Sequence, residues 1–253
     1  NVGVRYVKTD NKSFGYTVYN STFTIPPGGT TGLGVPVIAP FAAREDYENS
    51  YHNWLPSLNL RMKATDQLQF RFALGKGMSR PDFGQLQAYT TLSQSVTSST
   101  TGTGAAQVTN VTSVGHTGES VGNPLLRPVT SRNMDLTAEW YFAQAGSLTF
   151  AVFDKRLKDI IIKQNASYQL TDTAGRAIDF NVATPVNGAR GTARGIEMAY
   201  QQYFDKLPGW LSGFGVQANY THVKSKRELY NPVFSEYCSN VTGAANINLN
   251  IKG

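Results

Sequence analysis

Apolar and polar residues alternate along six stretches of this chain, with a period of two residues. A period of two predicts β-strands, because successive side chains of a strand point to opposite faces. The apolar sets at this spacing are Leu58, Leu60 and Met62; Leu68, Phe70, Phe72 and Leu74; Met134, Leu136, Ala138, Trp140 and Phe142; Leu148, Phe150 and Val152; Ile196, Met198 and Tyr200; and Phe214, Val216, Ala218 and Tyr220. No charged residue falls in these sets, so each predicted strand has one apolar and one polar face, as half-buried antiparallel strands do.

Short and long connections alternate between the predicted strands. Short turns are predicted at residues 65–66, 143–146 and 205–209, and long connections at residues 17–49, 78–130 and 163–190, with another beginning near Ser225. Residues 93–118 are rich in Ser, Thr and Gly, which predicts a flexible surface loop. In a meandering sheet alternate connections lie at the same end, so all the long loops share one end. Outer-membrane β-barrels have this arrangement, whereas loops beyond ~15 residues are uncommon in compact domains.

Aromatic residues cluster where the predicted strands end. Residues 140–142 read Trp-Tyr-Phe just before one short turn, and Tyr203, Phe204 and Trp210 flank another. Tyr16, Tyr51 and Trp54 lie near the opposite strand ends. Aromatic girdles of this kind mark the two membrane interfaces of a barrel. The pattern therefore predicts an all-β, antiparallel transmembrane β-barrel with long extracellular loops and short periplasmic turns. A soluble β-sandwich adhesin or lectin, with apolar faces packed sheet on sheet, is the alternative.

Composition and charge exclude several other classes. Charged residues make up 16% of the chain, below the roughly 25% of an average soluble domain. The net charge of +6 is spread thinly, without the dense basic run of a nucleic-acid-binding arm, so no nucleic-acid partner is predicted. No stretch approaches the ~20 apolar residues of a membrane helix. The single cysteine, Cys238, excludes an internal disulfide and a cysteine-based zinc site.

No enzyme chemistry is predicted. The three histidines, His52, His116 and His222, are far apart and lack metal-ligand spacing. Residues 213–218 match G-x-G-x-x-A, but a dinucleotide site needs those glycines in a turn between a strand and a helix. Here they lie inside an alternating strand. We therefore expect no catalytic residue, no cofactor and no metal.

Six local motifs, in order along the chain, resemble the TonB-dependent receptors of Gram-negative outer membranes. They are Leu55-Pro56-Ser57-Leu58-Asn59-Leu60-Arg61, Phe70-Arg71-Phe72-Ala73-Leu74-Gly75-Lys76, Arg80-Pro81-Asp82-Phe83, Gly122-Asn123-Pro124-Leu125-Leu126-Arg127-Pro128, Leu157-Lys158-Asp159-Ile160-Ile161 and Gly195-Ile196-Glu197. The long unit from Tyr51 to Phe83 and the turn at residues 207–211 look most like a large proteobacterial subgroup linked to carbohydrate uptake.

The resemblance implies a fragment of a larger outer-membrane barrel. About seven strand patterns are present, against ~22 strands in plugged outer-membrane transporters. Residues 1–253 are thus expected to be the C-terminal part of the barrel, without the plug domain and the final strands. The whole protein would sit among outer-membrane lipids and take up a small-molecule nutrient, an oligosaccharide in preference to an iron-siderophore. The TonB–ExbB–ExbD complex would energise it through the missing plug. A passive porin-like barrel is the alternative transport function.

Two sets of residues are predicted to carry this function. Charged residues of the polar strand faces are expected to line the lumen: Arg61, Arg71, Asp135, Glu139 and Glu197. Aromatic residues of the extracellular loops are predicted to bind the nutrient: Tyr47, Trp54, Phe83, Tyr89, Tyr168 and Phe180. Rigid amphipathic rings beside amide side chains suit stacking on, and hydrogen bonding to, sugars.

Overall fold

A computed structural model describes residues 1–20, 23–24, 28–204, 208–209 and 213–230. This part of the chain is almost entirely β-structure. The ten strands are β1 (Val2–Tyr19), β2 (Thr30–Gly32), β3 (Phe41–Lys63), β4 (Leu68–Ser79), β5 (Tyr89–Thr101), β6 (Val108–Ser120), β7 (Val129–Ala143), β8 (Gly146–Thr171), β9 (Ala177–Tyr203) and β10 (Gly215–Leu229). Two short 3-10 helices, Gly84–Leu86 and Gly104–Ala106, lie in the connections. No helix within these ranges has the length and apolar character needed to cross a membrane.

Seven strands form an antiparallel meander in the order β1-β3-β4-β7-β8-β9-β10. The register aligns the predicted apolar residues across the whole sheet. Phe72, for example, pairs with Leu60 on one side and Leu136 on the other, and Leu136 pairs with Val152. A register slip of one residue would turn a whole strand's apolar set to the other face, so the alternation itself sets this pairing.

Among the residues that the structure describes, the apolar face is exposed and is not packed against a second sheet. Leu60 is 52% exposed, Met62 59% and Tyr220 56%. Soluble monomers rarely expose contiguous apolar patches of more than a few hundred Å². The face therefore lacks the sheet-on-sheet packing that the β-sandwich alternative requires, and it has the character of a lipid-facing surface.

The predicted short turns are confirmed where the structure describes them. Between β3 and β4, the Ala64 amide donates to the Leu68 carbonyl at 2.9 Å, and the Thr65 hydroxyl accepts from the Leu68 amide at 3.0 Å. Between β7 and β8, Ala143 pairs directly with Gly146. Part of the third turn lies outside the described residues.

The long connections are built largely from paired strands. β8 and β9 remain paired as far as Thr171 and Ala177, across most of the predicted loop 163–190. The prediction of a flexible loop at residues 93–118 is wrong, because β5 and β6 form a hairpin there. Ser, Thr and Gly occupy both faces of this hairpin, so its strands show little alternation in hydropathy. Cys238 lies outside the described residues.

The β5–β6 hairpin bridges the two sides of the meander. β5 runs parallel to β1 from Tyr16–Tyr89 to Tyr19–Leu92, and β6 runs parallel to β9 around Gly118–Val182. Eight strands thus form a closed ring of pairings at the long-connection end, in the order β1-β3-β4-β7-β8-β9-β6-β5. A small core holds this junction together, in which Tyr19, Leu92 and Phe180 are at most 1% exposed.

Candidate functional site

Charged side chains form a connected network on the polar face near the short turns. The Arg71 guanidinium lies 2.7 Å from the Glu139 carboxylate, and the Arg61 guanidinium donates to the Gln69 side-chain oxygen at 2.8 Å. The Gln69 amide donates in turn to Glu139, and the Tyr141 hydroxyl donates to Glu139 at 2.9 Å. β3, β4 and β7 place these residues at paired or diagonally adjacent positions of the same face, so the network is a direct consequence of the strand register.

The other two predicted lumen residues lie on the same face but outside this network. Asp135 shares a hollow of about 540 Å³ with Arg61 and Arg71. Glu197 is two strands away from Glu139, beside Ala151 and Thr221, and has no ion pair within the described part of the chain. All five residues face away from the apolar side, which is the placement expected for lumen residues.

Residues 122–128, the NP turn, rest on the polar face above this network. The Asn123 side chain accepts a hydrogen bond from the Leu125 amide at 2.9 Å, and Leu126 is 1% exposed. The Asn49 amide group of β3 donates to the Leu126 carbonyl at 3.1 Å, and Asn11 of β1 donates to the Pro124 carbonyl at 3.4 Å. Two strands thus hold the turn over the polar face.

Asn187 of β9 fastens the other end of the NP turn. Its side-chain oxygen accepts from the Arg127 amide at 2.8 Å, and its amide group donates to the carbonyls of Arg127 at 2.8 Å and Asp159 at 2.9 Å. Asp159 has a φ of 59° at a break in the β8–β9 pairing, a left-handed conformation that is uncommon for a residue other than glycine. The Arg127 guanidinium also pairs with Asp159 at 3.3 Å. The NP turn and the motif at residues 157–161 therefore meet at Asn187.

Two of the predicted ligand-binding tyrosines converge on a carboxylate near the long-connection end. The Tyr47 hydroxyl donates to Glu45, and the Tyr168 hydroxyl donates to Glu45 at 3.4 Å. Thr17 of β1 donates to the same carboxylate at 2.9 Å. We call Thr17, Glu45, Tyr47 and Tyr168 the phenol–carboxylate cluster. It presents aromatic rings and hydrogen-bonding groups together, which is the chemistry predicted for a sugar site.

The electrostatics of this cluster favour neutral phenols. Burial, followed by the hydrogen bond to the Glu45 carboxylate, raises the pKa of Tyr47 to about 12. Burial is also the first cause of the raised pKa of Tyr168, and the Glu45 charge adds to it. A negative charge on either phenol would sit beside an existing carboxylate, so both hydroxyls remain hydrogen-bond donors at neutral pH.

The structure does not bring the remaining predicted aromatics into this cluster. Trp54 lies on the apolar side, 56% exposed, with its ring 4.8 Å from that of Tyr6. Phe180 is fully buried in the junction core, its ring 5.9 Å from that of Tyr19. Phe83 is 93% exposed and Tyr89 43% exposed, and both line a separate hollow of about 440 Å³ beside β1. Trp54 thus has a girdle position, and Phe180 has no free surface for a ligand.

Sequence reasoning missed several polar residues of this region. Four residues make the contacts described above but were not predicted as site residues: Thr17, Glu45, Gln69 and Asn187. Glu45, Tyr47 and Asn49 do alternate with Arg44, Asp46 and Glu48, which was the available signal. Both faces of β3 are polar there, so a search for apolar periodicity does not detect this segment.

Within the described ranges, no group of three His, Cys, Asp or Glu residues could hold a metal ion.

The family comparison gives one match over almost the whole chain. The sequence model described as TonB dependent receptor-like, beta-barrel matches residues 1–246. No curated protein matches this chain.

Solved structures similar to this chain include three receptors. The siderophore receptor PirA from Acinetobacter baumannii is 19% identical, with a TM-score of 0.43 over 65% of this chain and 23% of that chain. A mutant of the ferric enterobactin receptor PfeA from Pseudomonas aeruginosa is 18% identical, with a TM-score of 0.49 over 72% and 24%. A double mutant of the Serratia marcescens hemophore receptor HasR, in complex with its hemophore HasA and heme, is 15% identical, with a TM-score of 0.46 over 88% and 31%.

The chain spans between 23% and 31% of the length of these three receptors. The assignment therefore rests on the family match, which covers residues 1–246. The strands with one apolar and one polar face, and the short turns grouped at one end of the sheet, agree with this assignment. The chain belongs to the TonB dependent receptor-like, beta-barrel family of the Gram-negative outer membrane.

Proposed function

We propose that the intact receptor containing this barrel segment takes up a scarce nutrient across the outer membrane, energised by the TonB–ExbB–ExbD complex through a plug domain. The observation that supports this proposal is the charged polar face of the sheet, over which the NP turn and the β5–β6 hairpin are held. A charged wall beneath a bridged opening suits a gated lumen in which a plug is rearranged. Arg61, Arg71, Asp135, Glu139 and Glu197 are the proposed lumen wall.

For the nutrient we propose an oligosaccharide bound at the phenol–carboxylate cluster. Tyr47 and Tyr168 supply rings for stacking on sugar faces. The Glu45 carboxylate is an acceptor for sugar hydroxyls. Phe83 and Tyr89, which share the neighbouring hollow, are proposed as a second contact surface.

An iron-siderophore is the second candidate nutrient. The similar structures include siderophore and ferric enterobactin receptors, but their TM-scores are below 0.5, so this likeness is not an argument for a siderophore here. An anionic iron chelate would meet the Glu45 carboxylate, which opposes its binding. The passive porin alternative predicts steady ion conductance through the intact receptor, whereas a plugged transporter stays closed.

Binding to the intact receptor tests the substrate proposal. Calorimetry with a panel of oligosaccharides is expected to show binding that Glu45→Ala and Tyr47→Ala each weaken by about tenfold, equivalent to ~1.4 kcal/mol. Glu48→Ala is the matched control, because Glu48 lies on the opposite face of β3 and pairs with Lys12 at 2.6 Å. Binding of a ferric siderophore but of no sugar would refute the oligosaccharide proposal.

Uptake in cells tests the transport proposal separately. Accumulation of the bound nutrient is expected to stop when TonB is deleted or the inner-membrane proton gradient is collapsed, while surface binding continues. Accumulation that survives both treatments, together with steady conductance in planar bilayers, would replace this proposal with a passive porin.

A further inference from the structure

The phenol–carboxylate cluster carries a negative charge that no cation of the protein balances. Glu45 is half-buried, and its three hydrogen-bond donors, Thr17, Tyr47 and Tyr168, are all hydroxyl groups. Hydroxyl donors satisfy the carboxylate's lone pairs without adding positive charge. Within the described part of the chain, Glu45 has no ion pair. Because both phenols stay neutral, the whole cluster has a net charge of about −1 at neutral pH.

The cations of β1 and β3 at this level lie on the opposite face of the sheet. Arg44 is next to Glu45 in the strand, so its side chain points the other way. There the Arg44 guanidinium lies 2.9 Å from the Asp46 carboxylate, and the Lys12 ammonium lies 2.6 Å from Glu48. Each of these cations already has a carboxylate partner. Neither of them compensates the charge of Glu45.

The residues that share a face with Glu45 are uncharged. On the same face of β1 and β3, the positions paired with or next to it are Ser13, Gly15, Thr17, Ala43 and Tyr47. On β8, the lysine closest in sequence to Tyr168 is Lys163, whose ammonium lies 2.6 Å from the Glu119 carboxylate. A half-buried carboxylate without a cation bears a desolvation cost. A ligand that brings a positive charge to this face would offset that cost.

The hydrogen bonds of the cluster leave one oxygen of Glu45 with an open acceptor position. Oε1 accepts from the Thr17 hydroxyl at 2.9 Å and from the Tyr168 hydroxyl at 3.4 Å. Oε2 accepts only from the Tyr47 hydroxyl. A carboxylate has about four lone-pair positions, two on each oxygen. Oε2 can therefore accept one more donor, beside the ring of Tyr47.

We infer that Glu45 Oε2 binds a protonated amine of the nutrient, so that the oligosaccharide is an amino sugar with at least one free amine. An ammonium N–H donor makes a charge-assisted hydrogen bond to a carboxylate, roughly twice as strong as a neutral one. The electron-rich face of a tyrosine ring also attracts a cation within ~6 Å. A sugar hydroxyl would fill the same acceptor position but leave the charge unbalanced. The amino-sugar assignment rests on the proposed oligosaccharide function and specifies its substrate class.

Calorimetry on the intact receptor tests the assignment with a glucosamine trisaccharide and its fully N-acetylated form. At about pH 6, below the ~7.7 of an ordinary α-amino group, the free amines are protonated. The wild type is expected to bind the amine form at least about tenfold more tightly. Because acetylation also adds bulk, variants separate charge from size. Glu45→Gln keeps an acceptor oxygen but removes the charge, so it should weaken binding of the amine form about tenfold and leave the N-acetylated form unchanged. Glu48→Gln, on the opposite face of β3, is the matched control.

A second variant keeps the test decisive if Glu45→Gln does not fold. Ala43 is exposed on the same face, so Ala43→Lys places an ammonium beside Glu45 and should also remove the preference for the amine form. Heat-modifiable migration on gels shows whether each barrel has formed.

The outcomes separate the amino-sugar assignment from the oligosaccharide proposal. Equal binding of the two trisaccharides to the wild type, or a preference that survives in either folded variant, would overturn the assignment alone. Binding of a neutral oligosaccharide but of neither trisaccharide would do the same. A simple diamine that binds as tightly as the amino sugar would indicate a bare cation site and contradict it. Binding of no sugar at all would refute both proposals.

Discussion

Three consecutive residues of β4 test the membrane orientation most directly. Phe72 lies on the apolar face between Leu60 and Leu136, four residues from both Leu68 and Lys76. That is ~14 Å along the strand from each border, close to the middle of the bilayer. An arginine at the midplane of a barrel's lipid face costs ~2–4 kcal/mol. Phe72→Arg should therefore lower the folding equilibrium constant about 30- to 1000-fold.

The two neighbours of Phe72 are matched controls within the same strand. Ala73 faces the polar side between Asn59 and Asp135, so Ala73→Arg would gain a carboxylate neighbour and should change stability little. Leu74 is again on the apolar face, but it pairs with Met134 and lies only two residues from the charged level of Lys76 and Arg132. Leu74→Arg should cost only ~0–1 kcal/mol, as substitutions near the interface do.

The measurement is reversible folding of the intact receptor into lipid vesicles, followed by a urea titration. Heat-modifiable migration on gels reports the folded fraction independently. The expected order of stability is wild type, then Ala73→Arg and Leu74→Arg close together, then Phe72→Arg far below. Equal losses for Phe72→Arg and Ala73→Arg would refute the assignment of one face to lipid and the other to a watery lumen.

Three further predictions concern the polar side. Glu139→Leu leaves Arg71 without its carboxylate and should destabilise the folded barrel by ~1–3 kcal/mol in the same titration; a double-mutant cycle with Arg71 that shows no coupling would contradict this. The pKa of Tyr47 is raised to about 12 from an ordinary value near 10. Its stabilising contribution is thus present below pH ~10 and is lost as the pH rises towards 12. A tyrosinate absorbance titration should lose one late-ionising group in Tyr47→Phe. Asn187→Ala should weaken the anchoring of the NP turn by ~1–2 kcal/mol and speed its amide exchange, whereas the exposed Asn181→Ala should not.

The strands of the membrane-spanning sheet were predictable because lipid imposes a strict rule on them. Every second residue must be apolar, as in Leu68, Phe70, Phe72 and Leu74. The same alternation set the register and the short turns, since a slip of one residue would expose the wrong face. The same alternation also predicted that the five charged residues would lie on the polar face.

The extracellular parts were less predictable because water permits many patterns. β5 and β6 have Ser and Thr on both faces, so their strands left no apolar alternation. The aromatic residues misled in a related way. Trp54 and Phe180 belong to the same class as Tyr47, yet one lies on the lipid side and the other is buried in the junction core. Residue type alone does not distinguish a ring that meets lipid from one that meets a ligand.

The amino-acid sequence by itself determined a two-faced, antiparallel sheet with short turns at one end, because the period of two and the spacing of connections are local properties. Only the tertiary structure decided which distant groups meet. Glu45 contacts Thr17 and Tyr168, which are 28 and 123 residues away along the chain. Such contacts depend on strand register summed across the sheet and on how the β5–β6 hairpin folds back, and neither leaves a periodic signal in the chain.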